Sequence, residues 1–330
     1  MRGKAFYNLI KMKWEDNHNF DVQPWQVEDL RSISDEKLFE RLAQHDIILT
    51  PESILLYAEK CDGPEELTDC LLLDGKNEKL QAQVYLLAFE AWRRFCPKKQ
   101  TLSVFCDELD HLIEQFDSAE LDDVEPLYNQ LLELCKIMDQ NVDQGVDTQE
   151  ITKLLDSICA HDIESFTYEF IAGLIDAEQR TMASMLLDAF YPYAEDKRWF
   201  DFLRVRLLAE SDEAEGKIML DRLFVELQEE PDIDLGFEML HLLSQLGERS
   251  AFQVLLDNMS SWLQTEEDFQ HLLSTVRDYF CAFDFDQEEK VVDKMLHERA
   301  DIDPETKFFP TDPCLKKLKE IVNITQQAQF

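Results

Sequence analysis

The stretch LSVFCDELDHLIEQF, residues 102–116, has an apolar side chain at every third or fourth position. The residues of this apolar stripe are Leu102, Phe105, Cys106, Leu109, Leu112, Ile113 and Phe116. Because an α-helix completes a turn in about 3.6 residues, this spacing gathers the apolar side chains on one face. The stretch therefore predicts an amphipathic helix that packs its apolar face against other helices.

The same helical period extends from near residue 34 to near residue 322, and no alternating strand pattern interrupts the second half of the chain. Polar residues that cap helix N-termini mark many of the expected starts. These expected starts are Ser34, Thr50, Asp147, Asp162, Asp196, Asp232 and Thr265. Short connections between successive helices make neighbours antiparallel. The sequence therefore predicts an all-α fold of stacked antiparallel helical hairpins with no β-sheet.

Helix starts in the second half recur about every 35 residues, a spacing typical of stacked helix pairs. In its periodicity alone, this pattern resembles the α-solenoids of the tetratricopeptide and HEAT kinds. The first half has a longer interval of about 43 residues, however, and only 8 glycines occur in the whole chain. We therefore predict an irregular α-solenoid-like architecture and assign no repeat family.

Composition divides the chain into four expected segments. They are an N-terminal basic segment and linker (1–33), an N-terminal helical array (34–160), a C-terminal array of helical hairpins (161–300) and a tail with a capping helix (301–330). The start of the first segment is basic because it contains Arg2, Lys4, Lys11 and Lys13 and no acidic residue before Glu15. The last predicted helix is basic because it contains Lys316, Lys317 and Lys319. Both ends are expected to cap or dock.

The chain is strongly acidic, with 70 Asp and Glu against 32 Lys and Arg and a formal net charge of -38. Since the apolar residues follow helical spacing, we expect the carboxylates on the outer faces of packed helices. Such a surface repels nucleic acid and anionic membranes and attracts basic proteins. We predict a basic protein partner and no direct nucleic-acid binding. No stretch approaches the roughly 18 apolar residues of a membrane span.

Eight cysteines are scattered along the chain without a Cys-x-x-Cys pair. They are Cys61, Cys70, Cys96, Cys106, Cys135, Cys159, Cys281 and Cys314. Most lie within amphipathic runs, which favours buried, reduced thiols. We therefore expect a cytoplasmic location.

Two Glu-x-x-His pairs are the most enzyme-like feature: Glu108 with His111, and Glu238 with His241. Di-iron helical bundles use two such pairs, provided that the side chains project into the bundle. A helical wheel places each histidine far from its apolar stripe, so both are expected to face outward. No phosphate-binding glycine loop, HExxH motif or GxSxG motif occurs. The sequence thus predicts no catalytic, cofactor-binding or metal-ligating residue, and no cofactor.

One stretch combines aromatic residues with arginine, the residue types that dominate binding hot spots. The candidate partner-binding residues in it are Tyr193, Trp199, Phe200, Arg204 and Arg206. The alternative interpretation is that these rings fill the junction between two helical hairpins.

Together these features favour a noncatalytic acidic scaffold, adaptor or chaperone that binds a basic or helical protein. Two alternatives stay open. One is a helical enzyme with a metal site at the two Glu-x-x-His pairs, and the other is an inhibitor that mimics nucleic acid. The sequence does not determine the oligomeric state.

Overall fold

The computed structural model describes residues 3–72 and 77–327, and in these ranges every regular element is a helix. Neighbouring helices pack against each other, as in a helical-repeat arrangement. This confirms the predicted all-α fold without a β-sheet. Within the same ranges, no helix is long and apolar enough to cross a membrane. The chain forms two compact units, residues 1–195 and residues 196–330.

The first unit contains ten α-helices in its described part. They are α1 (Lys4–Asp16), α2 (Asp35–Gln44), α3 (Pro51–Ala58), α4 (Pro64–Leu71), α5 (Glu78–Phe95), α6 (Leu102–Asp117), α7 (Glu125–Asp143), α8 (Thr148–Ile158), α9 (Ile163–Asp176) and α10 (Arg180–Phe190). The predicted capping residues Ser34, Thr50 and Asp162 each accept a hydrogen bond from a backbone N–H of the first helical turn. Local polar chemistry therefore sets where these helices begin.

Helix α5 is the centre of the first core. Its residues from Val84 to Trp92 are all buried, and it packs against α2, α3 and α4. The Trp92 ring is fully buried, and its Nε1–H donates to the Lys99 carbonyl at 3.0 Å. A helix buried on all sides organises the helices around it.

Helix α7 lies against α6, α8 and α10, and α9 packs on α10. Phe116 of α6 contacts the rings of Phe166 and Phe170 of α9, with centroids 5.9 and 5.4 Å apart. Helices α9 and α10 pack on α6 and α7 and belong to the first unit. Helix α1, in the basic N-terminal segment, packs against α6 and α8.

The second unit contains seven helices in its described part. They are α11 (Lys197–Ser211), α12 (Glu213–Glu229), α13 (Ile233–Leu246), α14 (Arg249–Met259), α15 (Glu266–Ala282), α16 (Asp286–Arg299) and α17 (Pro313–Gln327). Helices α11 and α12, α13 and α14, and α15 and α16 pack as successive hairpins. Asp196, Asp232 and Thr265 cap the first helix of each hairpin, which confirms these predicted starts.

A single residue, Asp212, connects α11 to α12. Its backbone N–H donates to the Leu208 carbonyl at the end of α11, and its side chain accepts from Glu215 N–H at the start of α12. The two helices approach closely at Gly216, where an added Cβ would lie 3.2 Å from the backbone nitrogen of Ala209. A side chain at position 216 would therefore require α11 and α12 to separate by a few tenths of an ångström.

The C-terminal tail packs back onto α15. Phe308 is 4% exposed, stacks on Phe269 with centroids 4.4 Å apart, and donates its backbone N–H to the Gln264 carbonyl. Arg299 forms ion pairs with the buried Glu266 and with Asp312 at the start of α17. Helix α17 then packs against α14 and α16.

Candidate functional site

Among the candidate partner-binding residues, Tyr193 belongs to the first unit. It lies in a short 3-10 turn after α10, is 4% exposed, and donates its hydroxyl to Asp139 Oδ1 at 2.5 Å. Burial and this carboxylate raise the pKa of Tyr193 above its ordinary value. Tyr193 therefore ties α10 to α7, and only a small part of its ring is within reach of a partner.

The other four candidates lie on α11 in the second unit. Phe200 is 1% exposed, and Trp199 packs against the core of this unit and donates its Nε1–H to Asp232 Oδ2 at 3.2 Å. Arg204 and Arg206 are half-buried and have contacts of their own. A partner could reach only the half-buried side chains of this set, so a role in binding stays a prediction.

The first Glu-x-x-His pair does not have the geometry of a metal site. Glu108 accepts hydrogen bonds from Arg31 at 3.0 Å and from Arg93 at 3.2 Å. His111 is not fully turned to solvent, because its side chain is 35% exposed and lies 3.9 Å from Glu114. His111 lies away from the apolar stripe of α6, as predicted. It does not face open solvent, however, because α1 packs on the same side of α6.

The second pair, Glu238 and His241, is exposed on α13, where Gln245 contacts the histidine ring at 2.9 Å. It lies in a different unit from the first pair. Across the part of the chain that the structure describes, no group of three or more His, Cys, Asp or Glu side chains is arranged to hold a metal ion.

The polar side of α6 carries four titratable side chains. Asp107, Asp110, His111 and Glu114 follow each other at spacings of three, one and three residues, which places them on one helical face. We refer to these four residues as the α6 acidic face. Because the apolar stripe of α6 packs on the opposite side, this face points towards α1.

Helix α1 pairs with the α6 acidic face through three polar side chains. Lys4 Nζ lies 3.1 Å from Asp107, and Lys11 Nζ lies 3.1 Å from Glu114. Between them, the Asn8 amide donates to Asp107 at 3.0 Å and to Asp110 at 3.2 Å. Lys4 and Lys11 are seven residues apart, and so are their partners Asp107 and Glu114, so both pairs form between the same two helical faces.

Burial and charge act in opposite directions on the pKa values of these groups. Burial of Asp107 favours its neutral form, but Lys4 and Arg31 outweigh burial and lower the pKa of Asp107. The same competition lowers the pKa of Glu114, through His111 and Lys11. Burial opposes the charge on Lys11, whereas the neighbouring carboxylates raise its pKa. All three groups are therefore charged at neutral pH.

Asp110, which is buried, and His161, which is partly buried, form a pair that sequence reasoning missed. Asp110 is 1% exposed and lies 3.0 Å from His161 Nδ1. Since a carboxylate only accepts, Nδ1 donates, an arrangement that general bases also use. Asp110 accepts from the backbone N–H of Ala160 as well, so it fixes the turn between α8 and α9. No local motif indicates this pair, because its members lie 51 residues apart.

A cleft of about 700 Å³ opens beside this pairing, between α1, residues 26–32 and α6. Its walls include Lys4, Lys11 and Arg31 and the carboxylates that pair with them. These cations already have anionic partners. The ion pairs along the cleft therefore attach α1 to α6.

Negative charge is concentrated in one part of the first unit. Residues 101–195 contain 22 acidic residues and 3 basic ones, Lys136, Lys153 and Arg180, which is a net charge of -19 out of -38. Between Glu125 and Phe190, 12 of the 13 acidic side chains are exposed. We refer to the exposed side chains of α7–α10 as the acidic surface. Counting charges in windows along the sequence would have located it.

No protein-family model, no curated protein and no solved structure matches this chain. The function proposed below is therefore argued from geometry and charge alone.

Proposed function

We propose that this chain is a noncatalytic helical scaffold, adaptor or chaperone that binds a basic protein through the acidic surface of α7–α10. The observation that supports the proposal most directly is the concentration of charge: residues 101–195 hold half of the net negative charge. Fields of this kind raise the association rate of cationic partners. The eight free thiols support placing this role in a reducing, cytoplasmic compartment.

Repulsion within the acidic surface supports a cationic ligand. Partial burial and the carboxylates of Asp162 and Glu195 raise the pKa of Asp156. A partner that brings positive charge close to Asp156 would reduce the repulsion among these carboxylates. This relief would add to the direct attraction between the partner and the acidic surface.

Apolar side chains within the acidic surface support a protein partner over small counterions. Leu154 of α8 is 47% exposed and Met185 of α10 is 54% exposed. Protein interfaces combine apolar anchors with a polar rim, and charge alone does not supply the anchors.

Neutralising part of the acidic surface tests the proposal. The variant combines Glu133→Gln, Asp143→Asn, Glu150→Gln and Glu169→Gln, all at exposed positions. Proteins captured from native lysate are identified, and the dissociation constant of the purified partner is measured at 50 and 300 mM NaCl. We expect at least tenfold weaker binding at low salt and a smaller salt dependence, since four attractive charges are lost.

A matched variant neutralises four exposed carboxylates of the second unit: Asp221→Asn, Glu229→Gln, Asp293→Asn and Glu298→Gln. Both variants remove four negative charges, so only the location differs. Equal weakening by the two variants would contradict a role for the acidic surface, and so would capture of proteins that are not basic.

A further inference from the structure

Helix α1 buries few residues and is attached by a small apolar contact around Tyr7 together with ion pairs to α6. Only three of its 13 residues are buried, Ala5, Tyr7 and Asn8, whereas nine of the 18 residues of α5 are buried. The pairs that Lys4 and Lys11 form with α6 involve side chains that are 23% and 28% exposed. Elements with few buried apolar contacts open at a lower free energy than core helices, and added salt weakens ion pairs whose cations remain partly in contact with solvent.

Each carboxylate that α1 contacts also has a partner that does not belong to α1. Asp107 pairs with Arg31 at 2.6 Å, and Asp110 accepts from the turn at Ala160 and from His161. Glu114 lies 3.9 Å from His111. Departure of α1 would therefore leave no buried carboxylate without a compensating group, which removes the main penalty for opening a buried ion pair.

The contacts of α1 define what kind of helix fits this face. Lys4 and Lys11 place cations seven residues apart, and Tyr7 between them is 5% exposed and contacts the Trp25 ring at 6.0 Å between centroids. A replacement helix needs the same elements: two cations two turns apart and an aromatic ring between them on the same side.

We propose that the α6 acidic face is the docking site for a basic amphipathic helix of the partner protein, and that α1 occupies this site until the partner displaces it. The inference rests on the proposed function and adds the partner's chemistry: a helix with the Lys-x-x-aromatic-x-x-x-Lys pattern of α1. A tethered α1 competes at an effective concentration on the order of millimolar. Displacement therefore requires a partner helix that binds more tightly, or a change that weakens α1.

A labelled peptide of residues 3–20 serves as the probe, with fluorescence anisotropy as the measurement. In the full-length variant Lys4→Glu/Lys11→Glu, repulsion from Asp107 and Glu114 drives the resident α1 off the site. We expect this variant to bind the peptide at least tenfold more tightly than the unmodified chain does. The control variant Lys13→Glu/Lys60→Glu makes the same charge change at exposed positions without an ion pair to α6 in the described structure, and should behave like the unmodified chain.

Adding Asp107→Asn and Glu114→Gln to the first variant should remove the gain in peptide affinity. A gain that survives these changes would overturn the proposal, because the peptide would then bind elsewhere. Equal peptide binding by all variants would overturn it too. None of these substitutions lies in α7–α10, so this result is independent of the acidic-surface variant.

Amide hydrogen exchange on the unmodified chain gives a second test that requires no substitution. We expect the amides of α1 to exchange at least tenfold faster in 500 mM NaCl than in 50 mM NaCl, since salt screens the ion pairs that attach α1. The buried amides of α5 provide the internal control and should change little. Protection of α1 equal to that of α5 at both salt concentrations would contradict a displaceable helix.

Discussion

At the scale of single residues, Asp107 is a buried carboxylate that two side chains of α1 contact, Lys4 and Asn8. It is 4% exposed and accepts from Asn8, Lys4 and Arg31. We expect Asp107→Asn to lower the free energy of unfolding at pH 7 by about 2 kcal/mol, because a charged hydrogen-bond acceptor is lost while both cations stay partly solvated. Urea denaturation of the two proteins measures this difference.

The effect of Asp107→Asn should depend on pH in a defined direction. Lys4 and Arg31 outweigh burial and hold the pKa of Asp107 below its ordinary value of 3.8 in the folded chain. The unfolded chain thus binds the proton first, and the contribution of Asp107 is present above pH 3.8 and lost as pH falls through the lower, folded pKa. We expect a constant difference between pH 7 and pH 5 that shrinks towards pH 3. A difference that stays constant down to pH 3 would rule out this explanation.

The sequence could indicate the residues that avoid the apolar stripe of α6, but not what covers them. A helical wheel separates His111 from the stripe correctly. The cover comes from α1, and the Lys11–Glu114 pair joins positions 103 residues apart. No local pattern predicts such a contact, since it depends on how the intervening helices stack. The carboxylates were expected on the outer faces of the helices, but five of them are buried: Glu90, Asp107, Asp110, Asp201 and Glu266.

At the scale of helices, Gly216 and Gly173 both lie inside helices but differ in the space available for a side chain. An added Cβ at Gly216 would lie 3.2 Å from Ala209 N and 3.3 Å from the carbonyl carbon of Leu208, both backbone atoms, whereas Gly173 of α9 has nothing within 4 Å. We expect Gly173→Ala to stabilise the chain by about 0.5–1 kcal/mol, through helix propensity. Gly216→Ala should lack this gain and destabilise instead, because α11 cannot shift without losing its packing on α12.

Thermal or urea denaturation followed by circular dichroism compares the two glycine variants. Equal stabilisation by both substitutions would show that α11 and α12 can separate by a few tenths of an ångström without cost, and would contradict a tight contact.

Helix starts could be predicted well because capping is a local interaction between neighbouring residues. Asp196, Asp232 and Thr265 each cap the helix that the sequence assigned to them. Helix α1 was missed as a helix because its cap is Gly3, which has no side chain to signal a start. The sequence left two interpretations open for the aromatic residues near α11, since a buried ring such as Phe200 and an exposed hot-spot residue look alike in sequence.

At the scale of the whole molecule, the net charge of -38 makes stability depend on salt. Repulsion among the carboxylates opposes the compact state, and the screening length falls from about 30 Å at 0.01 M salt to about 8 Å at 0.15 M. We expect the melting temperature to rise by about 5 °C between 10 and 300 mM NaCl. The variant that neutralises four carboxylates of the acidic surface should melt higher at low salt and rise less. A melting temperature that falls with salt would mean that ion pairs outweigh repulsion.

The overall charge could be read from composition, and the fold class from periodicity. The contacts of Phe116 with Phe166 and Phe170 could not be predicted, because they join α6 to α9 across about 50 residues. The acidic surface could be predicted in part. Its charges can be counted in the sequence, but only the packed helices show which of them are exposed.

The one-residue link at Asp212 has a consequence for how the second unit loses its structure. The same residue ends α11 with its backbone and starts α12 with its carboxylate. Neither helix can fray at this junction without removing a terminal hydrogen bond from the other. The pair should consequently melt as one cooperative block, and partial unfolding of this unit should begin elsewhere.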